Sequence, residues 1–255
     1  MTIKNTAMAV GMLMVVGVAA AFGADEIKVG GGGASIATVF RPMKAGFEKE
    51  TGVSLSITQS TPKNGLIDLM NGVIDVATAA VPMEDMIKGA EKEGVKVAPA
   101  SLQKTVVARN RTVLFIHPSN TVNKLTKEQI KGIFTGKITS WKAVGGADTP
   151  ILVVWGKLSP GQNAQLTKEI LDGEAVTRDL VETTDYAGIK EMVAATPEAI
   201  GIDPFALSVD GKVKAIPTEP ELVSDIIILT RTNAPPKVQK FVSYLSGAGQ
   251  KQIIK

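Results

Sequence analysis

The stretch EIKVGGGGASIATVFRPM, Glu26 to Met43, decides how the rest of the chain is read. A short β-branched run closes on four glycines, and Ser35 stands just before a segment with helical spacing. A backbone without side chains at a strand-to-helix transition lets something come close, and the free N–H groups of a helix start favour an anion there. The spacing predicts a strand over Ile27–Val29, a glycine loop, and a helix over Thr38–Glu50 stopped by Gly52. The competing reading is that the glycines only make a tight turn.

Upstream lies a leader. Met1 to Gly23 carries one lysine, Lys4, then an apolar run from Ala7 to Phe22, and ends Ala21-Phe22-Gly23. This is the pattern of a secretory signal peptide cleaved before Ala24. The chain has no cysteine, which excludes a lipid-modified N-terminus, disulfides, thiol catalysis and Cys-ligated metals. A soluble protein of the bacterial periplasm is expected. With 28 Lys and Arg against 25 Asp and Glu, the net charge of +3 is too small to imply a nucleic-acid partner.

Downstream, short apolar strands alternate with amphipathic helices, an α/β signature. Strands are expected at Val53–Thr58 and Asp75–Ala80, and helices at Asn64–Met70 and Met83–Glu93. Lys104–Asn120 is a long β-rich run interrupted at Arg109-Asn110-Arg111, long enough to cross between two lobes. Beyond it come a helix over Thr126–Phe134 capped by Thr126, a strand over Ile151–Trp155, and helices over Gly161–Leu171 and Tyr186–Ala195. A strand over Ala199–Ile202 leads to a return crossing at Asp203-Pro204, then a strand over Ile226–Thr230 and a helix over Pro235–Leu245. The expected organisation is a leader over 1–23, lobe I from 24–111 and 205–255, and lobe II from 112–204.

Catalytic patterns are missing. His117 is the single histidine, so no His-ligated metal site can form. Gly33-Ala34-Ser35-Ile36-Ala37 resembles a nucleophile elbow but lacks its last glycine. A serine hydrolase using Ser35 and His117 is a remote alternative. The glycine spacing fits neither a dinucleotide fingerprint nor a P-loop. No enzyme, metal or cofactor is supported.

What remains is a binding module, and here the chain resembles a known family. Leu125 to Val154, LTKEQIKGIFTGKITSWKAVGGADTPILVV, is similar to a block of the periplasmic phosphate-binding proteins of phosphate ABC transporters. GGGAS with an arginine six residues on, ETGV at Glu50–Val53, VIDVATAAVPM at Val73–Met83, AIGI at Ala199–Ile202 and FVSYLSGAGQKQII near the end fit the same family. The resemblance implies a two-lobed α/β periplasmic binding protein of the type II, Venus-flytrap class. It further implies a double crossover hinge, closure on a small anionic ligand such as phosphate, a monomer, and delivery to an inner-membrane ABC permease. A sensory or scaffolding protein of the same fold that binds another solute is the alternative.

The family's ligand contacts are largely rewritten here. Its serine or threonine and following amide correspond to Ser35 and Ile36, beside Ala34. A Ser-Ser-Gly-Gly turn is replaced by Thr61-Pro62-Lys63-Asn64-Gly65, and the aspartate that accepts the phosphate's proton by Ala80. Trp155 or Gly156 stands for the arginine, and Pro160-Gly161-Gln162 for Ser-Gly-Thr. The ligand-binding residues expected are therefore Ala34, Ser35, Ile36, Lys63, Asn64, Trp155, Gly161, Gln162 and Asn163, with two helix starts converging on the ligand.

Overall fold

A computed structural model describes residues 25–184 and 186–253. The expected leader lies outside them. In chain order the elements are β1 (Glu26–Gly32), α1 (Gly33–Ser35), a π-helical turn (Ile36–Phe40), α2 (Arg41–Thr51), β2 (Ser54–Ser60), α3 (Pro62–Met70), β3 (Val76–Ala79) and α4 (Met83–Lys92). Next come β4 (Leu102–Ile116), α5 (Lys127–Phe134), β5 (Leu152–Gly156), α6 (Pro160–Glu169), β6 (Val181–Thr183) and α7 (Tyr186–Ala195). The chain closes with β7 (Ala199–Pro204), β8 (Lys214–Ile216), β9 (Leu222–Arg231) and α8 (Pro236–Ser246). Among the described residues no helix is long and apolar enough to cross a membrane.

Nine strands form one hydrogen-bonded sheet in the order β2-β1-β3-β9-β4-β7-β5-β6, with β8 on β4. Strand β4 links its two parts. Its first half pairs antiparallel with β9, its second half with β7 and β8. The strand runs unbroken through Arg109-Asn110-Arg111, where an interruption was expected; the irregularity is a register shift between Val106 and Ala108. Four apolar cores divide along the same line. One packs α2 and α8 against β1 and β2 through Phe40, Phe47, Phe241 and Leu245. A second, through Leu66, Leu69, Met86 and Leu229, covers the opposite face under α3 and α4. Two more flank the second part: one through Phe134, Trp141 and Leu166, the other through Phe115, Ile189 and Val193. The result is a two-lobed α/β architecture in which each part of the sheet is covered on both faces.

The return crossing is not at Asp203-Pro204. There β7 still pairs with β4, and the following Val213, Ile216 and Leu222 pack into the second lobe's cores. The strand that returns is β9, ten residues that pair with β4 from Leu102 to Thr112. The sequence signal was the Asp-Pro pair; the apolar side chains beyond it decide where the chain stays.

Local chemistry explains the helix ends. Thr126 and Gln129 form a reciprocal capping box at α5, with Thr126 Oγ1 accepting from the Gln129 amide at 3.2 Å and Gln129 Oε1 accepting from the Thr126 amide at 2.9 Å. Helix α2 stops at Gly52, whose φ of 70° lies in the left-handed region.

Candidate functional site

No loop separates β1 from the first helix. Gly30–Gly32 belong to the strand, and the helix begins at Gly33 with Gly32 as its cap. The glycines serve packing first. A Cβ on Gly31, at φ +135°, would lie 2.1 Å from the Thr78 carbonyl oxygen, and one on Gly65 of α3 would lie 2.7 Å from the Gly31 Cα. Strand β3 and helix α3 thus approach β1 backbone to backbone, which only glycine permits.

The carboxyl ends of the parallel strands β1, β3 and β5 lead to one place, the seam between the lobes. There the walls leave a small, partly open chamber of ≈ 20 Å³, room for about one water molecule. One wall is Gly32, Gly33, Ala34, Pro62, Ala80 and Val81; the other is Leu158, Pro160, Gly161, Gln162 and Gln165, with Asn110 and Ser224 from the crossing strands β4 and β9. The starts of the β1 helix and of α6 therefore face each other across it. By position, the first-turn amides of Gly33, Ala34 and Gly161 precede any intrahelical acceptor, while Pro160 at the head of α6 has no N–H to satisfy. Two positive dipole ends meet across a small space.

The predicted residues divide. Ala34, Gly161 and Gln162 line the chamber. Gln162 is 6% exposed, and its Nε2 donates to the Ile202 carbonyl at 2.9 Å. Ser35 and Ile36 do not line it. The Ser35 hydroxyl is buried and donates to the Gly32 carbonyl at 2.8 Å, and the Ile36 amide donates to the Gly33 carbonyl. The Ile36 side chain lies in the first core. Once the helix starts at Gly33, these two groups fall in its second half-turn, and the donor pair moves back to Gly33 and Ala34. Lys63 turns outward to Glu93, and Asn64 is exposed, its amide donating to the Thr61 cap. Trp155 packs against Phe134, with ring centroids 6.2 Å apart. Asn163 donates from Nδ2 to the Gly156 carbonyl at 2.8 Å, away from the chamber. His117 faces Ser119 in the loop after β4, and the buried Ser35 hydroxyl is spent on Gly32, so nothing couples the two.

Sequence reasoning missed Asn110, Gln165 and Ser224. Asn110 is 5% exposed and donates from Nδ2 to Thr112 Oγ1 at 3.2 Å; Gln165 donates to the Val223 carbonyl at 3.1 Å. Only the pairing of β4 with β9 brings Asn110 and Ser224 here, while Gln165 stands one turn into α6 beyond Gly161. Among the described residues no charged side chain lines the chamber. Charges begin outside, where the seam widens into a groove of ≈ 860 Å³ edged by Lys63, Lys104, Lys157 and Lys168 as well as Glu84, Asp85, Glu169 and Asp225. Behind the chamber sits Asp203, fully buried. Burial pushes its carboxyl well above the usual carboxylate range, opposed by the Gln162 amide and the charge of Lys190.

Comparison with known proteins places this geometry. The phosphate-binding protein PstS of Bacillus subtilis (strain 168) is 31% identical over 170 residues, 66% of this chain and 53% of the relative. The match thus spans about half the length of that relative. Among solved structures, a phosphate ABC transporter substrate-binding protein from Clostridium perfringens with bound phosphate superimposes with a TM-score of 0.75 at 23% identity, covering 89% of this chain and 96% of the other. An ABC-type phosphate transport receptor from Vibrio cholerae gives 0.65 at 24% identity, covering 90% and 97%. A family model described as a PBP superfamily domain matches residues 17–247, and with two lobes meeting at a chamber between helix starts, the chain belongs to the PBP superfamily.

Proposed function

We propose that this chain is the solute-binding component of an ABC transporter and takes phosphate or a related small oxyanion between its lobes, whose walls part from the one-water chamber seen here to admit it. The observation that carries the reading is the convergence of the β1 helix start and the α6 start on one small space between the lobes. Backbone amides and helix dipoles hold an anion without a formal positive charge, because aligned N–H groups supply both hydrogen bonds and partial charge. Asn110, Gln162, Gln165 and Ser224 add neutral polar groups around it. The likeness to phosphate-binding proteins supports the same choice.

In this reading residues 25–111 and 222–253 move as one lobe and the segment between as the other, hinged on the paired strands β4 and β9. The leader 1–23 directs the monomeric protein to the periplasm, where an inner-membrane permease receives the ligand. Binding is selective by size more than by charge. Ala80 offers no acceptor for a proton on phosphate, and no guanidinium faces the ligand, so phosphate and sulfate are discriminated weakly. A sensory or scaffolding role of the same fold has no observation in its favour here.

A thermal-shift panel of inorganic anions, followed by titration calorimetry, tests the proposal. A bound anion at a hundred times its Kd should add about 2.7 kcal/mol of stability. Phosphate and sulfate should both register, within about tenfold of each other in Kd. No shift from any small oxyanion would reject the reading.

A further inference from the structure

Among the described residues Asp203 is the only acidic side chain that is buried. It stands near the end of β7. The alternation that sends Ile200 and Ile202 into one core sends Gly201 and Asp203 to the other face, toward α7. Neither carboxylate oxygen has a hydrogen bond of full geometry, and only the Gln162 amide leans toward the group. Yet Asp203 follows Ile202, whose carbonyl holds Gln162 Nε2, so the carboxyl lies directly behind an amide that lines the chamber. An ionised carboxylate so placed is costly, and the group keeps its proton instead. Among the described residues the charged groups near it are Lys190 of α7, and Asp210 of the segment before β8, which draws the Lys190 ammonium to 2.7 Å. The core packed on that face is apolar, with Val113, Phe115, Ile189 and Val213. Nothing in ligand delivery by itself requires a buried acid there.

We propose that Asp203 is a positioning residue: as a neutral acid it fixes which edge of the Gln162 amide faces the chamber, and so ties anion binding to one proton stored behind the site. This rests on the chamber being the anion site. A neutral carboxyl donates its O–H to Gln162 Oε1 while Nε2 stays on Ile202, and the amide then presents N–H rather than C=O toward the ligand. An ionised carboxylate only accepts. It draws the amide N–H to itself and sets a second negative charge in a dry place close behind the bound anion. Anion affinity therefore holds while Asp203 is protonated and falls as the pH passes its folded-state pKa, by up to about tenfold per pH unit.

Titration calorimetry with sulfate decides this, because sulfate keeps its charge between about pH 5 and 9 and adds no titration of its own. The whole protein is compared with Asp203→Asn, whose amide cannot ionise. The wild-type affinity should fall at the alkaline end, while Asp203→Asn should stay level within about twofold. Infrared spectra of the wild type at neutral pH should show a protonated-carboxyl band that Asp203→Asn lacks. A level wild-type profile, or a wild-type slope retained in Asp203→Asn, overturns the assignment. So does absence of the band, which needs no variant and decides the matter even if Asp203→Asn fails to fold. Wild-type protein that binds neither sulfate nor phosphate at any pH would instead sink the anion reading, and this inference with it.

Discussion

Gly161 offers a way to separate closure from folding. It is the second residue of α6, in the second lobe, and a Cβ built on it would lie 2.6 Å from Val81 Cγ1 across the chamber, in the first. Carbon atoms rest at about 3.5–4.0 Å, so Gly161→Ala overlaps by about 1 Å, and Val81 is β-branched and stiff at χ1. The overlap exists only when the lobes are together. Overpacking of this size costs about 1–3 kcal/mol, which, set wholly against the closed state, weakens ligand binding about 5- to 150-fold. Within either lobe alone the change is harmless, and in a helical turn alanine is favoured over glycine by about 0.5–1 kcal/mol. The expected result is a ligand-free melting temperature equal to or slightly above wild type, together with a loss of phosphate affinity by calorimetry. The double variant Gly161→Ala/Val81→Ala should recover most of that loss. Wild-type affinity in Gly161→Ala, with scattering profiles showing full compaction on ligand addition, would refute the claim that these two residues meet on closure.

Other perturbations are equally definite. Gly31→Ala should prevent stable folding, since its Cβ would lie 2.1 Å from the Thr78 carbonyl oxygen and its φ of +135° excludes side chains; a cooperative thermal transition near wild type would contradict the packing of β1 on β3. Ser35→Ala removes a buried hydroxyl donated to Gly32 and should cost about 0.5–1.5 kcal/mol in denaturant unfolding. Its anion affinity should stay within about twofold, and a larger loss would return Ser35 to the ligand. Asp203 also sets a slope of stability with pH. Its folded pKa is raised, so above the unfolded pKa near 4 the native state keeps a proton that the unfolded chain has released. Its contribution is full below that pH and declines as pH rises toward the folded pKa, by about 1.4 kcal/mol per unit. Urea midpoints of Asp203→Asn should lack that decline; parallel curves for the two proteins would show that Asp203 ionises freely.

What the sequence discloses is local chemistry. The Thr126 cap, the stop at Gly52 and the strand-helix alternation are each set by neighbours a few residues away, and they stand where the pattern puts them. The three chamber residues foreseen, Ala34, Gly161 and Gln162, sit at helix starts, which periodicity locates to within a turn. The misses are non-local. Ser35 does not line the chamber because the helix begins at Gly33, five residues before Thr38 where its pattern suggests, Gly33 having no side chain to betray it. Asn110 and Ser224 reach the chamber only because β4 pairs with β9 across more than a hundred intervening residues. Asp203 reads as half of an Asp-Pro pair at a return crossing, and only burial shows it to be an acid shut off from solvent.

The first core is assembled from both ends of the described chain. Ile27, Val29 and Leu55 of β1 and β2 meet Val238, Phe241 and Leu245 of α8, and between these groups the chain builds the whole second lobe. A polypeptide emerging from the ribosome therefore cannot complete its N-terminal half as it appears. Strands β1 and β2 must wait, with their apolar faces unfilled, until β9 and α8 have been synthesised. The inserted lobe, whose strands apart from β9 lie between Leu102 and Ile216, can gather its own cores sooner. Synthesis thus leaves β1 and β2 without their packing partners until α8 has been made, and the same arrangement means that a truncation removing α8 alone would deprive the opposite end of the described chain of its core.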